Sequence, residues 1–259
     1  AQDVSTLEHT PLIGNGRAAV RAACTDLAGR SELTADANVT DRLIALGAKL
    51  AFYEQAFDAE DQLAVAGQLP GLSTRAAVEL HLLRARALHL RDEPEAAVQI
   101  VREQRDLARR SGAGAYWRLA AAVTGLGDTR AHLESALTGL PPAADHDRLE
   151  AHLRLADIAH RGAEPVRATA HLTSALVLAD KHGDTVAAAH AAARLGHLYL
   201  ELGQHSDAEP MLARAMQLAR DLDDDLAVTS ESSLLAALQL NRDDLEAAWE
   251  TAGAEAEAG

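Results

Sequence analysis

A pattern of small and large apolar residues recurs about every 40 residues in this chain, and no other feature of the sequence constrains the fold as strongly. The clearest copy lies within residues 189–220, where its members are Leu195-Gly196, Tyr199, Gly203, Ala208, Leu212, Ala215 and Leu218-Ala219. Within each half of this copy the apolar residues are three or four positions apart, which is the spacing of one face of an α-helix. A fixed period of this length predicts stacked helical hairpins that bury their apolar faces against one another.

Related copies lie on both sides of this one. The upstream copy, at a distance of 40 residues, contains Leu155-Ala156, Ala159, Ala168, Leu172, Ala175 and Leu178-Ala179, and the downstream copy contains Leu235-Ala236, Ala248 and Ala252. Two earlier copies, 38 residues apart, contain Leu46-Gly47, Leu50, Ala59, Leu63 and Ala66, and then Ala85, Leu88, Ala97, Val101, Leu107 and Ala108. A degenerate copy spans residues 117–137. The sequence therefore predicts about six helix pairs between residues 40 and 252.

Prolines and polar residues indicate where the helices begin and end. Pro94 and Pro165 occupy the same repeat position, at the predicted start of a second helix, where the missing proline N–H would be unpaired in any case. Ser206 and Glu209 have the spacing of a capping box, and Pro210 is predicted to fall in the first turn of that helix. The polar stretches 181–184 and 222–225 predict comparatively long turns between repeats.

These residues and spacings resemble the tetratricopeptide repeat (TPR), and the period is similar to the subclass of about 40 residues seen in bacterial signalling and regulator proteins. The resemblance implies an all-α fold, a right-handed α-α superhelix (TPR-like solenoid) of about six helix pairs. Residues 1–39 would form a partial repeat or cap, with a helix at 17–29 and loops at 11–16 and 31–40. Residues 40–252 would form the solenoid and 253–259 a tail. Small residues such as Gly47 and Gly196 would lie at helix crossings, where they let paired helices approach closely.

The composition agrees with this fold and limits the partners. Ala and Leu account for 98 of the 259 residues and aromatic residues for only 3%, which suits closely packed helices. The formal net charge is -15, and no basic run is longer than Arg109-Arg110, so nucleic acids and anionic membranes are disfavoured as partners. The single cysteine, Cys24, excludes an internal disulfide, and no apolar stretch is long enough to span a membrane.

The resemblance also implies a concave groove lined by the first helix of each pair. The candidate peptide- or protein-binding residues on those helices are Glu79, Arg86, His89, Glu150, Asp157, His160, Arg161, His190, His197 and Glu201. Side chains of both charge signs would recognise an extended or helical peptide through hydrogen bonds and ion pairs. The alternative interpretation is that each residue belongs only to the solvated face of an amphipathic helix.

The twelve histidines raise the question of a metal site. His152 and His160 are eight residues apart, or about 12 Å along a helix, which is too far for one ion that must lie about 2 Å from each ring nitrogen. A site would need histidines from neighbouring pairs, for example His160 and His197. Phosphate-loop, nucleophile-elbow and metalloprotease motifs do not occur in the sequence, so neither a cofactor nor a catalytic residue is predicted.

The function predicted from the sequence is a non-enzymatic scaffold or adaptor that binds a peptide or protein partner in the groove. The net charge favours a basic partner. Two alternatives remain open, namely a ligand- or peptide-sensing domain of a regulatory protein and a metal-dependent enzyme that uses the histidines. No capping helix is predicted after Ala252, so self-association through that edge is a further expectation. A cytoplasmic location is expected, with export after removal of a signal peptide as the alternative.

Overall fold

The structure, a computed structural model, describes residues 7–8, 10, 12, 15–28, 37–54 and 58–241. The chain divides into two compact units, of which the first ends at Ala151 and the second begins at His152. The described residues contain twelve α-helices, one short 3-10 helix and no strand, which confirms the all-α prediction. None of these helices is both long enough and apolar enough to cross a bilayer. The predicted tail at 253–259 and the second helix of the sixth pair lie outside the described residues.

The helices follow one another in pairs within each unit. Unit 1 contains α1 (Asn15–Ala28), α2 (Ala37–Tyr53), α3 (Ala59–Ala66), α4 (Thr74–Leu90), α5 (Pro94–Ser111), α6 (Gly114–Val123), α7 (Thr129–Gly139), the 3-10 helix Pro142–Ala144 and the beginning of α8 (Asp145–Arg161). Unit 2 contains the remainder of α8, then α9 (Pro165–His182), α10 (Thr185–Glu201), α11 (His205–Asp221) and α12 (Asp225–Asn241). Helix α2 packs on α3, α4 on α5, α6 on α7 and α10 on α11, and α3, α5, α9 and α11 also pack on the helix that follows each of them. This is the predicted TPR-like arrangement of consecutive pairs.

The 40-residue period comes from long helices and not from long turns. Helices α8, α10, α11 and α12 each contain 17 residues and α9 contains 18, and the links between them are only two or three residues long. The predicted long turns at 181–184 and 222–225 are therefore wrong, because Lys181 and His182 still belong to α9 and Asp225 already belongs to α12. The loops predicted at 11–16 and 31–40 are also too long, since α1 begins at Asn15 and α2 at Ala37.

One turn geometry is used repeatedly between helices. After several helices the chain turns at a residue with positive φ, and these residues form two series. The first series is Asp92 and Gly112, and the second is Ala163, Gly183, Gly203 and Asp223; within each series the residues are 20 positions apart. The next residue donates its N–H to the carbonyl five residues back, as Glu164 does to Ala159 and Asp184 does to Ala179, both at 2.9 Å. This is the Schellman motif, which satisfies the last carbonyls of a helix and reverses the chain within a few residues.

The observed first residues of the helices confirm part of the predicted helix boundaries. Pro94 and Pro165 lie in the first positions of α5 and α9. The predicted capping box at Ser206 and Glu209 is wrong, because α11 already begins at His205 and its N-cap, Gln204, makes no side-chain capping bond. Pro210 consequently lies in the second turn of α11, inside the helix, and not in its first turn.

The repeat positions form the core in both units. Ala85, Ala97, Ala168, Ala208 and Leu212 are fully buried or nearly so. A methyl group added at Gly196 would lie 2.6 Å from Leu212 Cδ2, so this glycine does permit a close approach of α10 and α11. Gly47 was predicted at a similar crossing, and that prediction is wrong, because a methyl group there would meet no atom within 4 Å.

Candidate functional site

A cavity of about 630 Å³ lies within unit 1. Its wall comes from residues 8, 10 and 12, α2, residues 71–73, α4, Tyr116 of α6, the connection that precedes α8, and the first turn of α8. The apolar part of this wall includes Leu12, Ala45, Leu46, Leu72, Ala76 and Leu83, and the polar part includes Arg42, Lys49, Tyr53, Arg75, Glu79, Tyr116, His146 and Asp147. The lining therefore combines apolar surface with charges of both signs.

Three charged side chains on one side of the wall form a partly exposed group. Glu79 accepts a hydrogen bond from Lys49 Nζ at 3.0 Å and another from Arg75 Nε at 2.9 Å. The side chains of Lys49 and Arg75 are 25% and 47% exposed, whereas that of Glu79 is 11% exposed. Both cations thus retain donors that solvent or a bound group can reach. Burial, and then Glu79, raises the pKa of Tyr116, so its hydroxyl stays protonated beside Arg75.

A second group of residues, of which Tyr53, His146 and Asp147 belong to the wall, is more deeply buried and joins three helices. Arg86 Nη1 of α4 donates to Asp147 Oδ1 of α8 at 2.6 Å, and Arg86 Nη2 donates to Glu150. Tyr53, the last residue of α2, donates its hydroxyl to Asp147 Oδ2 at 3.0 Å, and the His146 ring lies 4.4 Å from the Tyr53 ring. We call these five residues, Tyr53, Arg86, His146, Asp147 and Glu150, the closing cluster. It connects residues that are 94 positions apart in the sequence.

Burial and charge determine the protonation states in the closing cluster. Burial alone would lower the pKa of Arg86, but Glu150 and Asp147 raise it above its usual value, so the guanidinium stays charged. Burial and Asp147 together raise the pKa of the Tyr53 phenol, which therefore remains a hydrogen-bond donor. Burial lowers the pKa of His146, so its ring is neutral near pH 7.

The predicted groove residues of unit 1 occupy three different environments. Glu79 lines the cavity, whereas Arg86 is only 3% exposed and lies behind the wall. The structure brings Arg86 and Glu150 together as an ion pair. His89 is half-buried near the end of α4, and its Nδ1 has no hydrogen-bond partner among the described residues.

The predicted groove residues of unit 2 are exposed or half-buried, and most of them pair across neighbouring first helices. His160 of α8 and Glu201 of α10 are 3.6 Å apart, and both are about half exposed. Asp157 of α8 binds Arg194 of α10, and His197 of α10 lies 3.2 Å from Glu231 of α12. Arg161 donates to the Asp157 carbonyl at 3.3 Å. Partial burial and Arg194 lower the pKa of His190. A binding role for these residues stays a prediction.

The sequence did not indicate most of the cavity wall. Lys49, Tyr53, Arg75, Tyr116, His146 and Asp147 were not among the candidates, and only Glu79 was. Tyr53 and Asp147 meet across 94 positions, which no local periodicity could show. The scarcity of tyrosines was the one available signal, since two of the three in the chain line this cavity. Within the described ranges, no three His, Cys, Asp or Glu side chains converge as metal ligands would.

Comparison with known proteins defines the class of fold. No protein-family model matches the sequence, and no curated protein matches it either. The chain is similar to the apo form of RapI with a TM-score of 0.55 and 11% identity, over 93% of this chain and 69% of that one. It is also similar to BtubC (BKLC) from P. vanneervenii at 15% identity, over 99% of this chain and 89% of that one, but with a TM-score of only 0.41. The likeness to RapI, together with the helix pairs, supports a TPR-like helical repeat fold.

Proposed function

We propose that this chain is a non-enzymatic binding module and that the unit 1 cavity receives a short peptide segment, either free or at the end of a partner protein. The observation that carries this proposal is the cavity itself, which lies against the first helices α2, α4, α6 and α8 and combines apolar surface with exposed charged donors. The TPR-like fold supports a binding role in general, and the likeness to RapI extends to the fold alone.

The size of the cavity supports a small ligand. About 630 Å³ is within the range of roughly 300–1,000 Å³ that is typical of small-ligand sites. A helix with side chains is about 10 Å across and rises 1.5 Å per residue, so this volume would hold only about five helical residues. A longer helix or a folded domain would have to remain outside. The ligand is therefore a segment of a few residues.

The lining supports a ligand with a polar main chain and at least one apolar side chain. Leu46, Leu72 and Leu83 supply apolar surface, while Lys49, Arg75 and Tyr116 offer hydrogen-bond donors around Glu79. A few polar groups placed on a largely apolar wall fix the orientation of a bound molecule. The chain's net charge of -15 supports peptides that also carry basic residues.

A retention experiment tests this proposal. The full chain is mixed with a pool of random tetrapeptides, separated by ultrafiltration, and the retained peptides are identified by mass spectrometry. Ala76→Phe places an aromatic ring in the cavity, whereas Ala170→Phe adds the same ring to an exposed position on α9. We expect the wild type and Ala170→Phe to retain the same peptides and Ala76→Phe to retain at least tenfold less. A wild type that retains no peptide, or an Ala76→Phe variant that retains the same set, would contradict the proposal.

A further inference from the structure

The closing cluster joins helices that are distant in the sequence and also lines the cavity, and such a long-range connection is unusual for a repeat protein. In a helical array each repeat normally contacts only its neighbours. Here the last residue of α2 binds the first turn of α8, although α4–α5 and α6–α7 lie between them in the sequence. Tyr53, His146 and Asp147 make this connection and also line the cavity. The same side chains therefore close unit 1 and face the space into which a ligand would enter.

Two members of the cluster, Arg86 and Glu150, do not line the cavity and hold the other members in place. Arg86 is 3% exposed, bonds Asp147 and Glu150, and lies with its Cζ atom 5.0 Å from the centre of the Phe52 ring. A desolvated ion pair of this kind contributes little net stability, yet removing one partner is costly because it leaves a buried charge. Besides the ion pair with Arg86, the hydrogen bond from the Tyr53 hydroxyl directly holds Asp147 in position.

Two buried polar atoms in the cluster have no hydrogen-bond partner among the described residues. These atoms are Arg86 Nε and His146 Nδ1. A buried donor or acceptor without a partner typically costs about 1–3 kcal/mol. The closed arrangement therefore does not satisfy all of its own polar groups, and a small shift of α8 or of the His146 ring can change which bonds form.

We propose that Tyr53, His146 and Asp147 couple occupancy of the cavity to the closure of α8 against α2. This inference rests on the proposed function, because it requires a ligand in the cavity. A ligand with a hydrogen-bonding group, such as a peptide amide, competes with Asp147 for the Tyr53 hydroxyl, beside which the His146 ring lies. This competition alters the hold of the cluster on the first turn of α8. Unit 1 would in this way report binding as a change in the stability of one helix end.

Hydrogen exchange of the full chain, read by mass spectrometry, tests the coupling. The probe is the set of tetrapeptides retained in the pool experiment, used at concentrations that saturate each protein. In the wild type we expect the peptides to change the exchange rate of residues 145–151 at least threefold. Tyr53→Phe removes only the hydroxyl that bonds Asp147, and we expect it to raise exchange there roughly five- to tenfold without peptide, which is the effect of one lost hydrogen bond. The same variant should abolish the response to peptide.

Tyr199→Phe is the control, since it removes a phenol hydroxyl from α10 of unit 2, outside the cavity. We expect this variant to keep the response. Phe52→Leu, which acts on the cluster through Arg86, replaces Tyr53→Phe if the latter does not fold. If peptides are retained but exchange changes only in α2 and α4, or changes equally in Tyr53→Phe, the coupling is wrong while the proposed function stands. If the wild type retains no peptide, both are wrong.

Discussion

At the scale of single residues, the space around the backbone explains why a glycine occupies a given position, which the composition does not. Gly196 has no side chain because Leu212 occupies the space next to it, and Leu212 is fully buried. Gly47 occupies the matching repeat position but has open space where a side chain would be. Identical residues at equivalent positions therefore have different reasons to be there, and substitutions at the two should have opposite effects.

Gly196→Ala should lower the free energy of unfolding by about 1–3 kcal/mol, since the new methyl group would overlap a core leucine. Gly47→Ala should raise it by about 0.5–1 kcal/mol, because alanine restricts the unfolded chain and favours a helix interior. Urea denaturation of both variants measures the difference. Two effects of the same sign would refute the assigned environments.

The repeated Schellman turn gives a second prediction for single residues. Ala163 has a φ of 54°, and Gly183 has a φ of 62° at the equivalent position 20 residues later. Left-handed backbone costs a residue with a Cβ roughly 1–2 kcal/mol. We expect Ala163→Gly to stabilise the protein by about 1 kcal/mol and Gly183→Ala to destabilise it by a similar amount. Thermal unfolding reports both, and a lower Tm for Ala163→Gly would disprove the turn assignment.

At the scale of helices, burial decides which contacts between elements matter. In the closing cluster, Tyr53, Arg86 and Asp147 join α2, α4 and α8 and are at most 9% exposed. Arg84 of α4, in contrast, binds Glu60 of α3 with the arginine 32% exposed. Helices α8 and α10 are connected by exposed pairs such as His160 with Glu201. Exposed pairs are screened by solvent and typically contribute less than about 1 kcal/mol.

Two arginines on the same helix therefore provide a matched comparison. Arg86→Met leaves Asp147 buried without its cation and should cost about 3–5 kcal/mol. Arg84→Met removes a partly exposed arginine and leaves Glu60 a second cation, Arg91, at 3.7 Å, so it should cost no more than about 1 kcal/mol. Urea denaturation distinguishes them. Equal losses would mean that the cluster does not determine the stability of unit 1.

The contact between α10 and α12 should make unit 2 sensitive to pH. A hydrogen bond to Glu231 raises the pKa of His197 above 6.5, although burial opposes the shift. A raised pKa in the folded state means that the contact stabilises the fold fully below pH 6.5 and loses this effect as the pH rises through the folded value. Because His197 is 44% exposed, the contribution is on the order of 0.5 kcal/mol after screening.

His197→Gln isolates this contribution, because the other titrating groups remain in both proteins. The wild type should exceed the variant in unfolding free energy at pH 5.5, and the difference should shrink at pH 8.5. A difference that is constant between the two pH values would show that His197 does not titrate against Glu231.

At the scale of the whole chain, structural features that repeat could be predicted from the sequence, whereas contacts that occur once could not. The core positions of α8 to α11 were predictable because each residue type returns at a fixed spacing, as Ala168 and Ala208 do. Turn lengths were misjudged because the charged ends of helices, such as Lys181 and His182, look like turns in sequence. The capping box at Ser206 failed because Gly203 ends α10 so abruptly that Gln204 becomes the N-cap of α11.

The cavity could not be predicted for a different reason. Its wall depends on Tyr53 meeting Asp147, a contact between single residues 94 positions apart that leaves no periodic trace. The groove residues predicted for unit 2 follow the repeat, and they lie as pairs on exposed first helices. Their role in binding is still a prediction, in competition with the unit 1 cavity.

Site-specific photo-crosslinking decides between the two locations. A diazirine amino acid is placed at Leu72, in the wall of the unit 1 cavity, or at His160, on the exposed face of unit 2. Each protein is irradiated with the retained tetrapeptides, and adducts are located by mass spectrometry. The cavity account predicts peptide adducts at position 72 and none above background at position 160. Adducts at position 160 with none at position 72 would contradict it.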